Sequence, residues 1–127
     1  MNNLVEIFIL VLLAIAFLQS GIDKIADWKG NLEWLKSHFS NSMIAKQVPL
    51  SLAIVLILEM ISGILAIIAI LSILINDNTE IAVVCAIISL ITLLFLFFGQ
   101  RIAKDYEGAK TIVIYFIPTL FLLYLLQ

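Results

Sequence analysis

The chain has 127 residues, of which 64% are hydrophobic and 13% charged, with a mean hydropathy of +1.20 and a net charge of −2. Soluble domains are nearer half apolar and a quarter charged, so the composition reads as an integral membrane protein and excludes a nucleic-acid-binding domain. Cys85 and His38 are the single cysteine and histidine, which excludes an intrachain disulfide, a C-x-x-C redox pair and a His/Cys metal centre.

Four apolar runs use up residues 1–127 as one transmembrane domain. The first spans about residues 4–25. It carries Glu6 where a signal peptide would be basic, and no A-x-A site leads into polar mature sequence, so it reads as a retained helix. The second spans about 50–75, with Pro49 in its first turn, where a missing N–H costs little. The third spans about 81–100 and the fourth about 111–126. Roughly 20 residues at 1.5 Å each cross a ~30 Å hydrocarbon core, so each run suffices. Only helices or closed barrels satisfy their backbone groups in lipid, and uninterrupted runs of this kind are helical. Pro118 lies inside the fourth run and predicts a kink there, with the carbonyl of Ile114 left free.

The expected architecture is an all-α membrane protein, a four-helix transmembrane bundle. The connections differ. Asn76-Asp77-Asn78-Thr79-Glu80 is a polar turn that makes the second and third helices antiparallel neighbours. The stretch 101–110 joins the third to the fourth. In the long first connection, 26–48, the apolar residues Trp28, Leu32, Leu35 and Phe39 fall at helical spacing. That stripe predicts an interfacial amphipathic helix lying on the membrane surface, in the connection between helices 1 and 2, with Trp28 and Trp34 at headgroup depth. All seven Lys and Arg residues flank or lie in the first and third connections. The positive-inside rule therefore puts loops 26–48 and 101–110 in the cytoplasm and both termini outside.

The second run contains one charged residue, Glu59. An intramembrane carboxylate costs about 3 kcal/mol on insertion scales, so it demands a partner, a proton or water. On a helix Glu59 shares a face with Ser62, Gly63 and Ala66, small residues that admit a close neighbour. Glu59 lies about ten residues from Pro49, roughly 15 Å deep. Gln19, about six residues in from the same side, is the expected direct partner; Lys24 and Arg101 reach part of the way. A polar vestibule is expected around Gln19, Ser20, Lys24, Glu59, Gln100, Arg101, Asp105 and Tyr106, open to the cytoplasm. A ligand-sized void at Glu59 would favour a binding role, and a second protein side chain a structural one. The bland alternatives are a hydrogen-bonded packing carboxyl for Glu59, headgroup anchors for Lys24, Arg101 and Lys104, and capping or interfacial roles for Asp105 and Tyr106.

The motif Phe17-Leu18-Gln19-Ser20-Gly21-Ile22-Asp23-Lys24 at the end of the first helix, Pro49 before the second, and Glu59-x-x-Ser62-Gly63 within it together resemble the DoxX family of small four-span membrane proteins. Gly99-Gln100-Arg101 through Tyr106 looks like a variant found in that family. The resemblance covers most of the chain. It implies a bacterial inner-membrane bundle associated with quinone-reducing thiosulfate oxidation and membrane oxidoreductase complexes. The vitamin K epoxide reductase fold is a looser analogue whose cysteines this chain lacks. Three functions follow as expectations. The first is a subunit of a redox or quinone-linked complex, with Gln19, Lys24 or protonated Glu59 meeting a quinone carbonyl. The second is a non-catalytic assembly subunit bound to other membrane subunits or to its own copies. The third is a small carrier or channel, for which four helices without an inverted repeat are few. No self-sufficient catalytic constellation is present, and no metal is expected.

Overall fold

The computed structural model describes residues 3–30, 33, 37 and 48–127, with side chains left out at 48 and 49. Four helices carry the fold: α1 Leu4–Ala26, α2 Val48–Asn76, α3 Glu80–Ile102 and α4 Tyr106–Leu126. Each is long and apolar enough to cross a membrane. The chain is thus an all-α, multi-pass membrane protein. Trp28, Lys29, Gly30, Glu33 and Ser37 are helical. Of the apolar stripe expected in that connection, Leu32, Leu35 and Phe39 lie outside the described residues, as does Trp34.

Sequence neighbours are spatial neighbours. α1 packs along α2, α2 along α3 and α3 along α4, whereas the α1–α4 seam that closes the ring is far less closely packed. Many large apolar side chains face outward, such as Phe8, Ile15 and Ile22 at every second turn of α1 and Ile57, Ile64 and Leu71 on α2. The interior combines large apolar residues, Leu10, Leu13 and Leu122, with small and polar ones: Ser62, Ala66, Ala69, Ala82, Ala86 and Ser89 are all fully enclosed. Lipid is as apolar as leucine, so helix association here comes from close packing and hydrogen bonding rather than from hydrophobic burial.

Between α2 and α3 this produces a small polar layer. Thr92 Oγ1 donates to the Ile88 carbonyl at 2.8 Å, and Ser62 Oγ lies 3.3 Å from Thr92 Oγ1. Thr92 has one hydroxyl proton and spends it on Ile88, so Ser62 is the donor across the interface. Cys85 Sγ donates to the Ser62 carbonyl at 3.5 Å. Because the interhelical bond joins buried groups, Thr92→Val should destabilise the bundle by about 0.6–1.5 kcal/mol. A denaturing-detergent titration checks this, and Ser62→Ala/Thr92→Val should cost less than the sum of the two single changes.

The helix ends explain where the span boundaries differ from hydropathy. α3 continues two residues past Gln100, to Ile102, and α4 starts five residues before Thr111, at Tyr106. The expected ten-residue connection shrinks to Ala103, Lys104 and Asp105. Lys104 adopts φ 62, Lys104 N–H donates to the Arg101 carbonyl at 3.1 Å, and Asp105 N–H donates to the Gln100 carbonyl at 2.9 Å. That pattern is a Schellman C-cap. Asp105 then caps α4, accepting from Gly108 N–H at 3.0 Å. The polar residues Tyr106–Lys110 are helical because of this cap, not because they lie in lipid. The α2–α3 turn uses an αL cap at Asp77 (φ 54), whose N–H donates to the Ile73 carbonyl at 3.0 Å, followed by an Asx bond from Glu80 N–H to Asn78 Oδ1 at 2.8 Å. α4 is helical through Pro118, and Thr119 Oγ1 donates to the Tyr115 carbonyl, one residue beyond the carbonyl the proline leaves free.

Candidate functional site

Glu59 is enclosed, with 1% of its surface exposed. Its partner is Lys24, whose Nζ stands 2.9 Å from Glu59 Oε1. Gln19, expected to be the direct partner, is exposed and makes no such contact. The reason is the direction in which helical side chains lean. Every Cα–Cβ bond tilts towards its helix N-terminus. α1 runs towards the basic end of the bundle, so Lys24 leans back into the interior. α2 runs away from that end, so Glu59 leans towards it. The two side chains converge across a depth difference that residue counting alone makes too large. Antiparallel packing sets the register: Gly21 sits against Met60, and Gly63 against Leu18.

The ammonium is also held by its own helix. Lys24 Nζ donates to Ser20 Oγ, one turn back, at 2.7 Å. The contact to Glu59 is close in distance but lies outside hydrogen-bonding angles, and no described group donates a well-directed hydrogen bond to Oε1. Distance governs the Coulomb attraction, so the ion pair is real; the angles govern acceptor satisfaction, so Oε1 keeps acceptor capacity.

Beside the pair is a cleft of about 330 Å³. α1 supplies Leu13, Ala16, Phe17, Gln19, Ser20 and Asp23 to its wall. Leu93 and Leu96 of α3 and Ile112 and Tyr115 of α4 form the opposite side, and among the described residues α2 contributes Glu59. The cleft therefore lies on the loose α1–α4 seam, with Glu59 at its base. The polar end is built from Gln19, Ser20, Asp23 and Glu59, and the rest is apolar.

The expected vestibule separates into two places. Gln19, Ser20 and Glu59 line the cleft, and Lys24 adjoins them through Ser20 Oγ and Glu59 Oε1 without lining it. Gln100, Arg101, Asp105 and Tyr106 do not line it; they belong to the α3–α4 corner. There the Arg101 guanidinium lies over the Tyr106 ring, 4.8 Å from its centroid, and Asp105 caps α4. A Cβ at Gly108 would come within 2.8 Å of Gln100 Cδ and 2.7 Å of Asp105 Oδ2, so a larger residue there would displace the ends of these two side chains. Asp23 and Tyr115 were not anticipated. Asp23 follows Gln19 by one helical turn, which places both on one wall, and Tyr115 carries the only hydroxyl on the apolar stretch between Thr111 and Thr119.

A second carboxylate is also buried. Glu6 retains 7% exposure at the opposite end of the bundle. It continues the stripe of Leu10, Leu13 and Phe17 at i, i+4, i+7 and i+11. Among the described residues there is no group of three or more His, Cys, Asp or Glu side chains placed to hold a metal ion. Family models, curated proteins and solved structures all lack a match to this chain.

Proposed function

We propose that the chain is a DoxX-like protein of the bacterial inner membrane, with its basic end in the cytoplasm and both termini outside. It serves as a subunit of a membrane redox complex, and the cleft at Glu59 receives the ring of a quinone-type carrier. The observation that carries this reading is the cleft of about 330 Å³ whose wall includes Glu59, a buried carboxylate paired with the Lys24 ammonium. Small-molecule sites start near 300 Å³ and combine apolar walls with a few convergent polar groups. One substituted ring fits that volume, and an isoprenoid tail would leave through the seam into lipid. Lys24, Ser20 and Gln19 offer donors to a carbonyl, and Glu59 offers a proton acceptor.

The test is equilibrium binding of a short-chain ubiquinone analogue to the full chain in lipid nanodiscs. Saturable binding is expected, weakened at least about tenfold by Lys24→Ala, a loss appropriate to a charge-assisted hydrogen bond from the ammonium to a quinone carbonyl. Absent binding, or binding that ignores Lys24→Ala, removes this reading.

One observation favours a second reading, a non-catalytic assembly subunit. A protein side chain already meets Glu59, so the pair also works as an internal brace between α1 and α2. On this reading the outward apolar faces hold a larger membrane partner or further copies of the chain. Mild-detergent purification followed by native mass spectrometry distinguishes them: a defined co-purifying subunit supports assembly, and a solitary monomer opposes it.

A further inference from the structure

We propose that the cleft selects a hydroxyl-bearing amphiphile, a molecule that donates a hydrogen bond to Glu59 and enters from the bilayer through the α1–α4 seam. The inference rests on the reading of this cleft as a ligand site, but not on that ligand being a quinone.

The argument begins with acceptor and donor inventory. A carboxylate offers about four lone-pair positions. Lys24 neutralises the charge of Glu59 yet aligns its hydrogen bond with Ser20 Oγ, and Oε1 is left without a directed donor. Buried acceptors in that condition are rare and costly in native proteins, and most find a partner or a bound molecule. The other charged group on the cleft wall, Asp23, is also an acceptor. Among the described residues, Arg101 is stacked on Tyr106 at the corner, and neither it nor Lys104 or Lys110 lines the cleft. The polar end of the cleft wall thus carries, among the described residues, two carboxylates, Glu59 and Asp23, beside the neutral Gln19 amide and Ser20 hydroxyl, and no cation. A ligand that presents only ether or ketone oxygens sets lone pairs against the Glu59 carboxylate. A hydroxyl completes it.

The walls set the remainder of the ligand. Leu13, Phe17, Leu93, Leu96 and Ile112 form apolar faces on both sides of the cleft, suited to one flat ring or a short chain. Access follows from packing. The cleft opens between α1 and α4, which form the least closely packed neighbouring pair, and the residues outside it are lipid-facing. A molecule already dissolved in the bilayer meets the seam directly, with its hydroxyl near the interfacial depth of Gln19 and Asp23. Among quinone-type carriers, this inventory favours the reduced, dihydroxy form over the oxidised one.

The test uses two probes of nearly equal size, para-hexylphenol and para-hexylanisole, which differ in the O–H. Binding of each in labelled form is measured on the full chain in nanodiscs against empty discs. The phenol should bind at least about tenfold tighter than the anisole, the usual range for a hydrogen bond to a charged group. Glu59→Gln should shrink that preference to about threefold or less, because a neutral acceptor replaces a charged one. Ala16→Phe, which fills the cleft away from the ion pair, should remove saturable binding of both probes while leaving the melting temperature near that of the parent chain. Equal affinities, a preference undiminished in Glu59→Gln, or undiminished binding in Ala16→Phe each overturn the proposal. So does binding of the oxidised ubiquinone analogue without binding of the phenol, an outcome that leaves the quinone reading standing. Phenol binding without quinone binding does the reverse.

Discussion

Replacing Lys24 by Met should destabilise the protein by about 3–5 kcal/mol, whereas the double change Lys24→Met/Glu59→Leu should restore most of that loss. The asymmetry follows from burial. Breaking a buried pair leaves one charge uncompensated, and replacing both partners by apolar groups removes the desolvation penalty together with the attraction. Glu59 is the deeper member, with its side chain 2% exposed against 19% for Lys24. Lys24→Met strands the deep charge and should cost more. Glu59→Leu strands an ammonium on a flexible stem that can turn towards the interface, so it should cost less. Denaturing-detergent titrations of the four proteins in one cycle supply the coupling energy. A double variant as unstable as Lys24→Met alone would show that the two residues do not act as a pair. A fully recovered double variant that has lost ligand binding would assign the pair to function rather than to folding, since a stable bundle then exists without it.

The helices and their number follow from composition and run length, because lipid imposes a backbone constraint that leaves few alternatives. Their ends do not follow from hydropathy. Tyr106–Lys110 are polar yet helical, since Asp105 caps them; the signal was the Asp105-x-x-Gly108 spacing behind the Schellman turn at Lys104. Glu59 was legible as the focal residue because it is the only charge in its run. Residue counting points to Gln19 as its partner because axial depth taken from Cα positions omits side-chain lean. Lys24 spans the difference with four methylenes and a tilt towards its own N-terminus. Glu6 falls at helical spacing from Leu10, Leu13 and Phe17, a stripe that marks its side of α1 as the buried one. The cleft walls were not readable. Leu93, Leu96 and Ile112 resemble every other leucine and isoleucine here, and only the closure of the ring between α1 and α4 separates those that face a void from those that face lipid. Gln100, Arg101, Asp105 and Tyr106 shared the cleft's polarity and its end of the bundle, which is why sequence grouped them with Glu59; the short α3–α4 corner keeps them to themselves.

Gly63→Ala should be markedly destabilising and Gly21→Ala close to neutral, although both glycines are buried on the same α1–α2 interface. In an isolated helix each change would be worth up to about 1 kcal/mol in favour of alanine. Packing decides the sign. A Cβ on Gly63 would lie 2.7 Å from Leu18 Cγ and Cδ2 and 3.2 Å from the backbone nitrogen of Leu18. The side chain can rotate, but the backbone cannot yield unless α1 moves as a body. Overpacking of this kind costs about 1–3 kcal/mol. A Cβ on Gly21 would meet Met60 Sδ at 2.5 Å, the far part of an unbranched, adaptable thioether that repacks at little cost. The two substitutions also differ in what they do to the cleft. Gly63 lies one helical turn from Glu59, and Leu18 neighbours Gln19 and Ser20. Pushing α1 from α2 at that level draws Lys24 off Glu59 and widens the polar end. Gly63→Val, with a branched side chain at the same contact, should do so more severely. Ligand affinity should therefore fall across the series Gly21→Ala, Gly63→Ala, Gly63→Val in step with stability. Gly63→Ala that matches Gly21→Ala in both measurements would mean that the α1–α2 contact is loose, and that the Lys24–Glu59 pair is held by its own charges rather than by the close approach of the two helices.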